Sequence, residues 1–131
     1  VEAWTSQAIF DKVANHLLKQ GKKAVNTKGQ NPEGYCVYRT PDGLKCAAGC
    51  LIADEHYSEH LENYDIFHGP VDDALERSIG VNSSTDGGAF SLIRELQVIH
   101  DNQEPKEWPG ALVLLALHKH LDLPECLQEK P

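Results

Sequence analysis

The sequence predicts a mainly α domain with one small β-hairpin, an α+β fold of about five helices packed around a buried apolar helix near residues 109–121. Three observations predict it. Apolar residues recur at helical spacing in several separate stretches. One Pro-Asp-Gly turn has β-formers on both sides. Ala111 to Leu117 is apolar all round, the pattern of a helix enclosed by others. A chain of 131 residues is expected to form a single domain over 1–131. Leu, Ile, Val and Phe fill about a quarter of it, which argues against disorder.

The elements follow in chain order. Thr5 or Ser6 can cap a helix that runs to about Gln20, with Gly21 as a left-handed stop. Ile9, Phe10, Val13, Ala14 and Leu17 form its apolar arc. Lys22 to Glu33 reads as a polar loop. In YCVYR-TPDG-LKCA, Pro41 and Gly43 suit a three-residue hairpin loop that pairs Thr40 with Leu44 and Tyr38 with Cys46. A short helix is expected from about Cys46, then a turn capped by Asp54. Val71 to Ile79 reads as a helix stopped by Gly80, and Phe90 to Asp101 as another, with Leu92, Ile93, Leu96 and Ile99 on one face. Pro105 or Pro109 opens the last helix, the expected spine of the fold. Residues 125–131 read as a frayed tail.

Three stretches, IFDKVANHLLKQG, CVYRTPDGLKCAAGCLI and LIRELQVIHDNQEPKEW followed by an apolar helix, cover most of the chain. In them the sequence resembles a group of small uncharacterised proteins of bacteriophages and mobile bacterial elements. The central stretch is the most distinctive, and Glu59 to Gly88 departs most from the group. The group carries no assigned activity. The resemblance implies a cytoplasmic, mobile-DNA setting and transfers no catalytic residue.

Acidic residues outnumber basic ones 20 to 12, a formal net charge of −8. That opposes an electrostatic grip on phosphate backbones, although Tyr35, Tyr38, Arg39 and Lys45 mix aromatic and basic groups on the expected hairpin. Direct nucleic-acid binding is therefore not expected. The longest apolar run falls far short of the roughly 20 residues that span a bilayer, so no membrane is expected. The first residues lack the basic-then-apolar pattern of a secretory signal, and the four cysteines are read as reduced thiols in the cytoplasm.

The sequence offers few chemical constellations. His56-Tyr57-Ser58-Glu59-His60 matches H-x-x-E-H, in which two histidines on one helix face chelate zinc beside a glutamate base. A solvated helix face explains the same residues. Cys36, Cys46 and Cys50, with His56 or His60 as fourth ligand, form a candidate structural zinc site, against which stands the ordinary burial of free thiols. Zinc is the one cofactor with any support. His100 falls inside an apolar arc beside Asp101, as a general base in a pocket, or as a core histidine satisfied by a backbone carbonyl, or as a cation near a helix C-terminus. No phosphate-binding loop and no G-x-S-x-G elbow is present, and no catalytic residue is assigned.

The leading expectation is a non-catalytic binding or adaptor protein with a macromolecular partner. Its candidate surface is acidic: Glu55, Glu59, Glu62, Asp65, Asp72, Asp73 and Glu76, with no lysine in that stretch. Such a surface fits a basic protein, for example a DNA-binding protein that it would inhibit. The alternatives are a zinc-stabilised module and an enzyme with a site near His100. A homodimer is expected if Ile66 and Phe67 are exposed.

Overall fold

The computed structural model describes residues 2–26, 35–62 and 64–128. Its helices are α1 (Ser6–Gln20), α2 (Ala47–Leu51), α3 (Gly69–Ile79), α4 (Gly87–Asn102) and α5 (Trp108–Lys119). Short 3-10 turns lie at Asp54–His56, Glu59–Leu61, Pro105–Glu107 and Glu125–Leu127. The Thr5 hydroxyl accepts the Ala8 amide and starts α1; Gly21 ends it at φ 65°, with its N–H donating to Leu17 O. Gly80 ends α3 in the same left-handed conformation, at φ 75°.

The core is a triangle of α1, α2 and α4. α1 contributes Ile9, Phe10, Val13, Ala14 and Leu17, and α4 contributes Phe90, Leu92, Ile93, Leu96 and His100. Between them α2 buries Ala47, Ala48, Gly49 and Leu51, side chains small enough for both neighbours to come close. Cys46 caps α2, its sulfur accepting the Gly49 amide at 3.3 Å.

The β-hairpin and the α+β class do not hold: the fold is mainly α. The Pro-Asp-Gly turn closes, with Thr40 N donating to Leu44 O and Cys46 N to Tyr38 O. Its two arms share only an isolated bridge, Arg39 with Lys45, and form no strand there. Two interactions stop the pairing. Cys46, still extended, caps α2, and its carbonyl accepts the Cys50 amide, so the arm turns into helix from Ala47 on. On the other arm, the two oxygens of Glu62 take the amides of Tyr38 and Arg39, at 2.9 and 3.2 Å. Elsewhere a two-residue antiparallel contact joins β1 (Val25–Asn26) to β2 (Tyr35–Cys36), too short to build a layer.

The expected buried spine is also corrected. α5 buries only Trp108, Leu112 and Ala116, one stripe at four-residue spacing. Leu114 and Leu117 are 69% and 65% exposed. An all-apolar run has no direction in its pattern, and Trp108 decides which side turns inward. The stretch expected to fray from Glu125 carries a 3-10 turn, and Leu127 packs on the core. Residues 129–131 lie outside the described ones.

α1 also grips the Lys45 backbone. Gln20 Oε1 accepts the Lys45 amide, while Gln20 Nε2 and His16 Nε2 donate to Lys45 O. Burial, the largest cause, lowers the His16 pKa from its ordinary 6.5, and the bond to Lys45 O opposes that in part. The unfolded chain therefore takes up this proton at a higher pH than the folded one. His16 contributes stability above pH 6.5, and that contribution is lost as pH falls from there through the lowered folded value. Denaturant titrations at a series of pH values should show a shallower loss on the acid side of neutrality for His16→Gln than for the parent.

Candidate functional site

His100 is fully buried with both ring nitrogens engaged. Nε2 faces the Ala24 amide at 2.9 Å and must accept from it. Nδ1 then carries the proton and donates to Asp101 Oδ1 at 2.7 Å. The ring stacks on Trp108, with centroids 5.6 Å apart. This is a structural histidine that fixes the start of β1 to α4, and neither nitrogen is left for a substrate.

The H-x-x-E-H residues do not share a helix. His56 ends one 3-10 turn, Glu59 and His60 belong to the next, and Tyr57 and Ser58 between them are extended. Cys50 Sγ donates to Ala47 O. Burial pushes the Cys46 thiol far up and the Cys50 thiol up to about 12. The Cys36 side chain lies outside the described ones. Among the described residues no three His, Cys, Asp or Glu side chains stand together as a metal group.

The acidic stretch is largely turned to internal use. Glu62 accepts the Tyr57 hydroxyl at 2.6 Å in addition to its two amides. Asp72 accepts the amide and hydroxyl of Ser83, Asp73 pairs with Arg77 at 2.9 Å, and Glu76 accepts from Asn82 Nδ2. Asp65 Oδ1 accepts the Phe67 amide. Glu62, Asp65, Asp72 and Glu76 hold loops and Asp73 pairs within α3; Glu55 and Glu59 are exposed. Asp54, just outside the set, receives the Arg39 guanidinium at 2.7 Å, which holds its carboxyl below the usual range.

The residues that do converge on one place form a groove of about 420 Å³. One wall is α4, presenting Arg94, Gln97, Val98 and Asp101. The other is Glu62 with Tyr64, Asp65, Ile66 and Phe67; Val37 and Tyr38 complete it. Ile66 is buried, while Tyr64, Phe67 and Val98 are 50%, 50% and 45% exposed and rim the opening. The second wall is held in shape. Tyr38 donates its hydroxyl to Tyr64 O at 2.5 Å, and burial keeps that phenol protonated. Tyr64 stacks on His68 with centroids 3.8 Å apart, and Phe67 leans on Phe90. On α4, Gln97 accepts the Ala48 amide and donates to Asp101 Oδ1. The lining carries three carboxylates and one guanidinium. Arg94 and Asp101 lie seven residues apart on one helix, about 10 Å along its axis.

Comparison with protein-family models, curated proteins and solved structures gives no match. Among the described residues no helix is long and apolar enough to cross a membrane.

Sequence reasoning singled out Asp65, Glu62, Ile66, Phe67 and Asp101 separately and missed Tyr64, Arg94, Gln97 and Val98. The missing signal was on α4. Arg94, Gln97, Val98 and Asp101 follow i, i+3, i+4, i+7 spacing on the side away from the apolar arc, and Val98 is the apolar residue out of place there.

Proposed function

We propose that the protein is a non-catalytic binding module whose groove between α4 and the 64–67 segment takes a basic segment of a protein partner. One observation carries this reading: half-exposed Tyr64, Phe67 and Val98 surround a groove lined by three carboxylates and one guanidinium. A lysine or arginine side chain suits that surface. Its methylenes lie along Val98 and Phe67, its cation reaches Asp101 or Asp65, and the Tyr64 and Phe67 rings add a cation–π contribution. The net charge of −8 steers such a partner towards the protein. We place the pairing in the cytoplasm, where a basic nucleic-acid-binding protein is a fitting partner.

The test is calorimetric titration of the full chain with a lysine-rich peptide and with its glutamine-substituted counterpart. The lysine peptide should bind in a salt-sensitive manner, and the glutamine peptide at least about tenfold more weakly. Val98→Lys should cost about tenfold in affinity or more. Ser91→Lys, which makes the same charge change on the exposed side of α4 outside the groove, should leave affinity nearly unchanged. Equal binding of both peptides, or equal effects of the two lysine substitutions, would refute the groove.

A further inference from the structure

The groove beside α4 has a direction. Its helical wall runs from Arg94 through Val98 to Asp101, about 10 Å of helix axis. The three carboxylates of the lining gather at one end, around Tyr38. Glu62 accepts the Tyr38 amide, and the charges of Asp65, Glu62 and Asp101 all act on the Tyr38 phenol. Arg94 stands at the other end, two turns nearer the start of α4, where Phe67 leans on Phe90. It is exposed, and the ion pairs among the described residues leave it out: they join Arg39 and Lys45 to Asp54, Arg77 to Asp73, and Lys119 to Glu95. The groove therefore offers anions at one end and an unpaired cation at the other.

We infer, resting on the reading of this groove as a site for a basic segment, that its occupant is the C-terminal residue of the partner, a lysine or arginine. The side chain runs along Val98 to the acidic end, and the α-carboxylate of the same residue pairs with Arg94. Length decides between this and an internal residue. About three residues of extended chain, at roughly 3.3 Å each, span the helical wall, so one long side chain laid along it fills most of the groove. The group nearest Arg94 is then the backbone of that same residue. At an internal lysine this is a neutral peptide unit, which leaves Arg94 unpaired beside an incoming cation. At a chain end it is a carboxylate, which a guanidinium binds through two parallel hydrogen bonds. Both ends of the groove are matched by one residue only in the second case.

Calorimetric titration of the full chain with two peptides of one lysine-ending sequence tests this, one peptide with a free terminal carboxylate and one amidated. The acid form should bind at least about tenfold more tightly. The net charge of −8 attracts the amide more strongly, because it is the more cationic peptide, so a preference for the acid reports a local cation. A third peptide, with one alanine added after the lysine, should bind like the amide. Arg94→Gln changes an exposed position and should keep the fold. It should bring the acid form down to the affinity of the amide, whose own binding stays the same or tightens. Equal binding of acid and amide by the parent would overturn the C-terminal assignment and leave the groove as a site for basic segments. So would a preference for the acid that survives Arg94→Gln, or an amidated peptide with glutamate after the lysine that matches the acid form. Binding of neither form would overturn both.

Discussion

Gly49→Ala should unfold the protein or lower its stability by about 3 kcal/mol or more, a fall in melting temperature of about 10 °C. In most helices this change gains up to about 1 kcal/mol, because alanine is the better helix former. Here a Cβ would stand 2.0 Å from Tyr38 O and 2.8 Å from Tyr38 C. Both are backbone atoms, and that backbone cannot easily move: Glu62 holds the Tyr38 amide, and Tyr38 O accepts from Cys46 N. Overpacking therefore reverses the usual sign. Gly88→Ala, at the start of α4 with nothing within 4 Å, is the control and should be neutral or mildly stabilising. Thermal melts of the two variants beside the parent check the expectation, and a Gly49→Ala protein as stable as Gly88→Ala would contradict the packing of α2.

His100→Ala should cost about 3–5 kcal/mol, again read by denaturant unfolding. Removing a fully buried ring under Trp108 leaves a cavity. It also orphans the Ala24 amide, which has Nε2 as its acceptor. His100→Gln can still present an acceptor to Ala24 and should recover part of the loss. A merely catalytic histidine would behave differently, since its removal would leave stability nearly intact.

Where local signals decide, the sequence is readable. α1 and α4 show 3.6-residue periodicity, and Thr5, Gly21 and Gly80 mark ends through chemistry contained within a turn. The errors came from distant partners. The arms of the Pro-Asp-Gly turn have strand-forming residues, yet Glu62, more than twenty residues on, takes the Tyr38 amide that a longer hairpin would use. α5 is apolar all round, so periodicity could not say that Leu114 and Leu117 face outward. The H-x-x-E-H spacing is meaningful only on a continuous helix, and extended Tyr57 and Ser58 interrupt it.

The candidate site was legible only in fragments. Charge clustering drew attention to Asp65 and Glu62, but the same clustering included Asp72, Asp73 and Glu76, which are tied to Ser83, Arg77 and Asn82. Composition does not show which carboxylates line a groove: Glu62 and Asp65 hold backbone amides and also line it. The groove needs α4 beside the 64–67 segment, a juxtaposition made by tertiary packing alone.

Amide chemical-shift mapping with the lysine-rich peptide tests the proposed groove most directly. The perturbed amides should cluster at Val37, Tyr38, Tyr64 to Phe67 and Arg94 to Asp101, and the cluster should vanish in Val98→Lys. Perturbations centred instead on Asp72 to Glu76, or spread evenly over the acidic surface, would contradict it.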